Sequence, residues 1–118
     1  MYEYKVDRVI RAIDGDTIVA KIDLGFHVSV KQTFRLHGIN APEVRGSGLT
    51  PEQREIGKEA TTFLEQSMLA YWPLTIRTIK DRTGKYGRYL AVIYGVKSDG
   101  TPVNINDLMV EEGHAVVT

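Results

Sequence analysis

The feature that most constrains the fold is one strong helix start, which divides the chain into two sets of strand-like segments. Residues 50–53, TPEQ, combine threonine at the N-cap, proline at the first helical position and glutamine three residues after the cap. This is a capping box with proline at the start of the helix. Apolar residues then recur at helical spacing from Ile56 to Met68, and Pro73 follows. The pattern predicts a helix from Thr50 to about Ala70.

Five segments outside this helix have the alternation of apolar and polar residues that indicates β-strands. They are residues 4–12, 17–24 and 27–37 before the helix, and residues 74–80 and 88–94 after it. The third segment places Val28, Val30, Phe34 and Leu36 on its apolar side, so Arg35 is expected to point away from the core.

A second, shorter helix is predicted near the end of the chain, with Asn104 as its N-cap and Gly113 as its C-terminal stop. Three antiparallel strands, a helix and a final hairpin are the order of an OB-type Greek-key barrel. The sequence therefore predicts a mainly β, α+β fold. Its barrel has five strands, with a long helix after the third strand and a short helix after the fifth.

Length and composition exclude several classes of protein. The 118 residues suit a single domain spanning residues 1–118, and 42% hydrophobic with 25% charged residues is an ordinary globular balance. The chain has no cysteine, so any metal must be held by oxygen or imidazole. The formal net charge of zero argues against a protein that coats nucleic acid through a broad basic surface.

The sequence also gives expectations about location. No apolar stretch approaches the ~18 residues that a bilayer-spanning helix needs, so no membrane association is expected. The first residues carry no apolar signal segment. We therefore expect a cytoplasmic protein, or a secreted one whose leader has been removed. A monomer is expected.

Several short motifs contain residues suited to phosphodiester chemistry. Alone, Asp14-Gly15-Asp16 is more often a strand-connecting turn, Arg35 a surface arginine, and Glu43 a solvated loop carboxylate. Together with the basic segment at residues 85–88, KYGR, they form a complementary set. One arginine guanidinium can bind two phosphate oxygens through paired hydrogen bonds, and a carboxylate can take a proton from water.

These residues occur in blocks that resemble the staphylococcal nuclease (thermonuclease) family. The resemblance covers nearly the whole chain in family order, through IRAIDGDTIVA (10–20), TFRLHGINAPE (33–43), GKEATTFLE (57–65), DRTGKYGRYLAVIY (81–94) and VNINDLMVEEGHA (103–115). The family's fold is an OB-type barrel with helices, in agreement with the fold predicted above.

The resemblance implies a calcium site. Asp16 matches a direct calcium ligand, Asn40 lies where the family usually has a second aspartate ligand, and Ala41 lies where a backbone carbonyl reaches the metal. Asp14 would support the metal without binding it. Because an amide oxygen can bind calcium but carries no charge, we expect weaker calcium binding rather than none.

The resemblance also implies the roles of the residues around the scissile phosphate. Glu43 matches the carboxylate proposed as general base. Arg35 and Arg88 match the arginines that hold and neutralise the phosphate. Lys85 and Tyr86 match residues that line the nucleotide pocket.

The resulting hypothesis is a calcium-dependent endonuclease that hydrolyses DNA and RNA, single-stranded or unpaired, with little sequence specificity. The leading alternative is a non-catalytic module on the same barrel that binds single-stranded nucleic acid. A third is a protein-interaction domain, which only the neutral net charge favours. Catalysis is ranked first because Asp16, Arg35, Glu43 and Arg88 are all present.

Overall fold

The secondary structure follows the predicted order, with three short strands added. The computed structural model describes residues 2–79 and 89–118. Within those ranges the elements are β1 (Tyr2–Asp14), β2 (Thr17–Asp23), β3 (Ser29–Leu36), β4 (Ile39–Asn40), α1 (Pro51–Ala70), β5 (Thr75–Thr78), β6 (Tyr89–Val96), β7 (Pro102–Asn104), α2 (Ile105–Glu111) and β8 (Val116–Val117).

Five of these strands close into a barrel. β1, β2 and β3 form an antiparallel meander, and β5 and β6 form an antiparallel pair. β5 pairs with β1, while β6 runs parallel to β3 with Phe34 opposite Tyr89, so the sheet closes on itself. The predicted α+β fold, a five-stranded OB-type barrel with two helices, is confirmed.

β1 is irregular along most of its length. Its pairing with β2 shifts register three times, between Val6 and Arg8, between Val9 and Arg11, and between Ala12 and Asp14. Each shift adds one residue to β1 that has no partner on β2, as in a β-bulge. Side chains three residues apart therefore share a face, and Val6, Val9 and Ala12 all pack in or against the core.

The core fills the barrel and the space under the helices. On β2, Ile18, Ala20 and Ile22 are buried as the alternation predicts, but Thr17 and Val19 on the opposite face are buried as well. On β3, Phe34 and Leu36 are buried, but Val28 is 53% exposed because it lies in the turn before the strand, where its N–H donates to Gly25 O.

Both helices begin where the sequence predicts. The Thr50 side chain accepts from the Gln53 N–H, and the Gln53 side chain accepts from the Thr50 N–H. The Asn104 side chain caps α2 by accepting from the Asp107 N–H. Ile56 is 53% exposed rather than packed in the core. Neither helix is both long and apolar enough to cross a membrane.

The short strands β4 and β8 bring the C-terminal segment against the chain that follows β3. Ile39 pairs with Val117 and Asn40 with Val116 in antiparallel register. The Thr118 N–H extends the ladder by donating to Gly38 O at 3.0 Å. The pairing fixes the backbone at Asn40, one of the predicted metal ligands.

Candidate active site

Three segments far apart in sequence meet around one cavity of about 480 Å³. They are the β1–β2 turn, the end of β3 with the segment after it, and the residues that follow α2. On the first two segments most of the lining residues are polar. The full lining consists of Asp14, Asp16, Thr17, Arg35, Asn40, Ala41, Pro42, Glu43, Gly113, His114, Ala115 and Val116.

Asp16 is the most buried carboxylate of the cavity, with 7% of its surface exposed. Its Oδ2 accepts from the Ala41 N–H and its Oδ1 from the Thr17 hydroxyl, both at 2.9 Å. Its backbone oxygen accepts from the Leu36 N–H at 2.7 Å. Asp16 thus ties the β1–β2 turn to the end of β3 and to Ala41.

Arg35 is held by the turn that follows its own strand. Its Nη1 donates to Leu36 O at 3.1 Å and to Ile39 O at 3.0 Å, and its Nη2 donates to Asn40 Oδ1. Nη1 also lies 3.7 Å from Asp16 Oδ2. Among the described residues these bonds occupy three of the five N–H donors that a guanidinium carries, which leaves two for a ligand.

Glu43 is carried by a loop that is fastened on both sides. Asp14 Oδ1 accepts from the Val44 N–H at 3.1 Å. On the other side the loop lies directly on α1 at Gly57, where a Cβ would collide with the Glu43 carbonyl group. Glu43 itself is exposed at the rim of the cavity. Its backbone is therefore fixed while its carboxylate remains accessible.

Gly15 allows the β1–β2 turn to sit close to both helices. A Cβ at Gly15 would lie 2.9 Å from Ala41 Cβ, 2.9 Å from Ala60 Cβ and 3.2 Å from Met109 Cε. Such distances are shorter than side chains tolerate, so any larger residue would push the turn outward. The position of Asp16 depends on this glycine.

The cavity has oxygen donors of the kind that hard cations prefer. The donors that could hold such a cation are the Asp16 carboxylate, the Asn40 amide oxygen and the Ala41 carbonyl. Across residues 2–79 and 89–118, no group of three or more Asp, Glu, His or Cys side chains is arranged to hold a metal. The donor set has the right chemistry but a low charge.

Comparison with protein families decides which family this chain is from. The family model described as Staphylococcal nuclease homologue matches residues 33–118, well over half of the chain. The chain belongs to this family. The match includes Arg35, Asn40 and Glu43 and begins after Asp16. Membership of this nuclease family supports a nuclease-like function.

Individual relatives agree with this family assignment. A thermonuclease of Staphylococcus hyicus is 34% identical over 87 residues, which are 74% of this chain and 47% of that protein. An uncharacterized protein of Bacillus anthracis is 29% identical over 110 residues, 93% of this chain and 46% of that protein. One of Methanocaldococcus jannaschii is 25% identical over an alignment of 134 positions, which covers 98% of this chain and 60% of that protein. The chain thus spans about half the length of these relatives.

The predicted site residues that fall within the described residues lie together. Asp16, Arg35, Asn40, Ala41 and Glu43 all line the same cavity. Their roles stay predictions. The remaining three predicted residues, Lys85, Tyr86 and Arg88, lie outside the described residues.

Two buried or cavity-lining residues, His114 and Asn106, were not predicted from the sequence. His114 lines the cavity and stacks on Phe63 of α1, with ring centroids 4.5 Å apart. Asn106, 3% exposed, accepts from the Ile93 N–H and donates to Ala91 O and His37 O. An asparagine at the second position of a predicted helix is an ordinary surface residue in sequence, so no pattern indicated its burial.

Proposed function

We propose that this chain is a calcium-dependent endonuclease that hydrolyses DNA and RNA and leaves 3′-phosphate ends. The supporting observation is the single cavity lined by Asp16, Arg35, Asn40, Ala41 and Glu43. A carboxylate that can accept a proton, a cation that can bind phosphate and oxygen ligands for a metal lie within one volume. Phosphate contacts carry no base information, so little sequence specificity is expected.

Arg35 would bind the non-bridging oxygens of the scissile phosphate. Its guanidinium is fixed by two backbone carbonyls, so little reorganisation is needed when charge increases on the phosphoryl group. The two N–H donors left over could hold two phosphate oxygens together. Arg88 would supply a second guanidinium, as the family resemblance implies.

Glu43 would act as the general base. A water molecule attacks phosphorus and gives its proton to the Glu43 carboxylate, while the bond from phosphorus to the 5′-oxygen breaks. The new phosphorus–oxygen bond leaves the phosphate on the 3′ side, and the 5′-oxygen takes a proton from solvent. An exposed carboxylate on a fastened loop suits this task, because it can reach water and substrate.

The oxygen donors at the cavity fit a hard cation such as calcium. Asp16, Asn40 and the Ala41 carbonyl would hold the ion, with water completing the six to eight ligands that calcium takes. A bound calcium ion would neutralise part of the phosphate's negative charge. One carboxylate and one amide give less attraction than two carboxylates, and the Asn40 oxygen already accepts from Arg35. Weak calcium binding is expected.

Cleavage of a fluorescently labelled single-stranded DNA, with calcium and with chelator, tests the proposal. The wild type should cut only with calcium, and Arg35→Ala should abolish cutting. Arg54→Ala, which removes an exposed arginine on α1, is the matched control and should cut normally. Cutting by Arg35→Ala at the wild-type rate would refute the proposed role of the cavity.

A second candidate function is a non-catalytic module that binds single-stranded nucleic acid. The observation in its favour is that the Arg35 guanidinium is already held by neighbours, through its hydrogen bond to Asn40 and its proximity to the Asp16 carboxylate. Such a network could persist without a metal. DNA binding without cleavage under any divalent metal would favour this alternative.

A further inference from the structure

The bulges of β1 gather positive charge on the outer face of the barrel. In a regular strand, residues three apart would point to opposite faces. Because of the register shifts, these β1 residues lie opposite every second residue of β2. Lys5 lies opposite Asp23, Arg8 opposite Lys21 and Arg11 opposite Val19. All three β1 side chains are exposed, while the residues that follow each of them, at positions 6, 9 and 12, face the core.

β3 extends the same face with a further cation. Lys31 lies directly opposite Lys21 in the antiparallel pairing of β2 and β3. Arg8, Lys21 and Lys31 therefore form a row across three adjacent strands. Partners of this kind have Cβ atoms about 5 Å apart. We refer to Lys5, Arg8, Arg11, Lys21 and Lys31 as the cationic face.

The row of Arg8, Lys21 and Lys31 does not stabilise the fold. Like charges directly opposite each other destabilise a sheet. In the part of the chain that the structure describes, no ion pair includes a residue of the cationic face, since the two pairs present are Arg35–Asp16 and Arg77–Glu3. Asp23 lies opposite Lys5, but the row of Arg8, Lys21 and Lys31 contains no acidic residue, although the chain has equal numbers of acidic and basic residues.

The cationic face leads to the cavity. The next row toward the β1–β2 turn places Arg11, Val19 and Thr33 side by side, and the row after it consists of Asp14, Thr17 and Arg35.

All three residues of that last row line the cavity. From Thr17 to Lys21 the distance along β2 is about 14 Å at ~3.4 Å per residue. A nucleic acid strand with one phosphate at Arg35 could therefore place later phosphates on the cationic face.

We propose that the cationic face binds the phosphates of single-stranded nucleic acid leading away from the cavity. This inference rests on the proposed function, because it uses the same substrate and the same Arg35. It adds a direction for the substrate and a binding surface outside the cavity. The contribution of the cationic face to binding affinity should grow with substrate length, because a dinucleotide held at Arg35 is too short to reach the row at Lys21.

The test is the salt dependence of DNA binding. A fluorescein-labelled oligothymidylate dodecamer is titrated in chelator, so that no cleavage occurs, and binding is followed by anisotropy over a range of salt concentrations. One variant combines Arg8→Gln, Lys21→Gln and Lys31→Gln. Each phosphate contact with a single strand contributes a slope of about 0.7 to the plot of log affinity against log salt. Because the variant removes three such contacts, its slope should be shallower than that of the wild type by about two.

The matched control removes three charges from elsewhere, by Arg54→Gln, Lys58→Gln and Lys97→Gln. These residues are exposed, on α1 and in the β6–β7 turn, and none lines the cavity. The control should keep the wild-type slope. An equal change in both variants would mean a general effect of net charge and would overturn the inference. An unchanged slope in the first variant, or no binding by the wild type at low salt, would also overturn it.

A second measurement does not depend on binding. Lys21→Gln removes repulsion with both Arg8 and Lys31, so its melting temperature at low salt should exceed that of the wild type, and the gain should shrink as salt is added. A lower melting temperature at low salt would contradict the proposed repulsion. Failure of the wild type to cleave, with the slope change intact, would refute only the proposed function.

Discussion

The substitution Asn40→Asp tests the proposal that residue 40 is a ligand of a metal ion in the cavity. It adds one negative charge at an exposed position beside Asp16 and Arg35. Two unit charges 4 Å apart attract by about 4 kcal/mol at an effective dielectric near 20. Solvent exposure and the neighbouring Arg35 guanidinium reduce this figure, since exposed ion pairs contribute at most ~1 kcal/mol each. For a divalent ion we expect a net gain of about 1.4 kcal/mol or somewhat more, or about tenfold tighter calcium binding.

Titration calorimetry with calcium measures this difference directly. The matched control is Asn104→Asp, which adds the same charge at the α2 N-cap, outside the cavity. Aspartate caps a helix about as well as asparagine, so the control should fold normally. It should leave calcium affinity unchanged. Equal affinity in the wild type and Asn40→Asp would exclude residue 40 as a ligand, and an equal gain in both variants would mean that only net charge matters.

Three further substitutions test the supports of the site. Gly57→Ala should destabilise the protein by about 1 kcal/mol or more in urea unfolding, because the added Cβ collides with the Glu43 carbonyl. A gain in stability, which is the usual effect of alanine in a helix, would contradict that contact. Asn106→Leu should cost about 2 kcal/mol or more in the same assay, because the Ile93 N–H and His37 O lose this partner while Ala91 O keeps the His37 N–H. A cost below 1 kcal/mol would mean that water replaces the amide. Asp14→Ala removes the acceptor of the Val44 N–H and should slow cleavage about tenfold with little change in melting temperature. An unchanged rate would show that the loop carrying Glu43 keeps its position without this hydrogen bond.

The parts of the fold that depend on local signals were predictable from the sequence. The capping box at Thr50 and the cap at Asn104 fix the helix starts through hydrogen bonds between residues three positions apart. The order of elements then limited the topology to very few choices. The closure of the barrel by the parallel pairing of β3 and β6 agrees with that prediction.

Features that depend on distant contacts were not predictable. Nothing in residues 2–14 marks the bulges of β1, because each bulge arises from the pairing with β2 and not from a local turn residue. Gly15 and Gly57 are required by backbone approaches that only the folded chain reveals. The burial of Asn106 likewise depends on α2 packing against β6.

The candidate site residues have no distinctive local pattern of their own. Arg35 and Glu43 alone would pass for surface residues, and the family resemblance carried the prediction of their roles. The hydrogen bond between Arg35 and Asn40 could not be foreseen, because it depends on the turn at Gly38 folding Asn40 back over β3. His114 lines the cavity just before β8, and its position depends on contacts with both helices and on the pairing of β8 with β4.

That pairing has a consequence for when the site can form during synthesis. Residues 14–17 leave the ribosome early, whereas residues 113–116, which complete the cavity wall, leave about a hundred residues later. A nascent chain that has already made Asp16, Arg35 and Glu43 still lacks the strand that holds Asn40 in register. Assembly of the cavity is therefore a late step relative to the synthesis of β1, β2 and β3, and a chain interrupted before residue 113 would carry Asp16, Arg35 and Glu43 without a complete cavity.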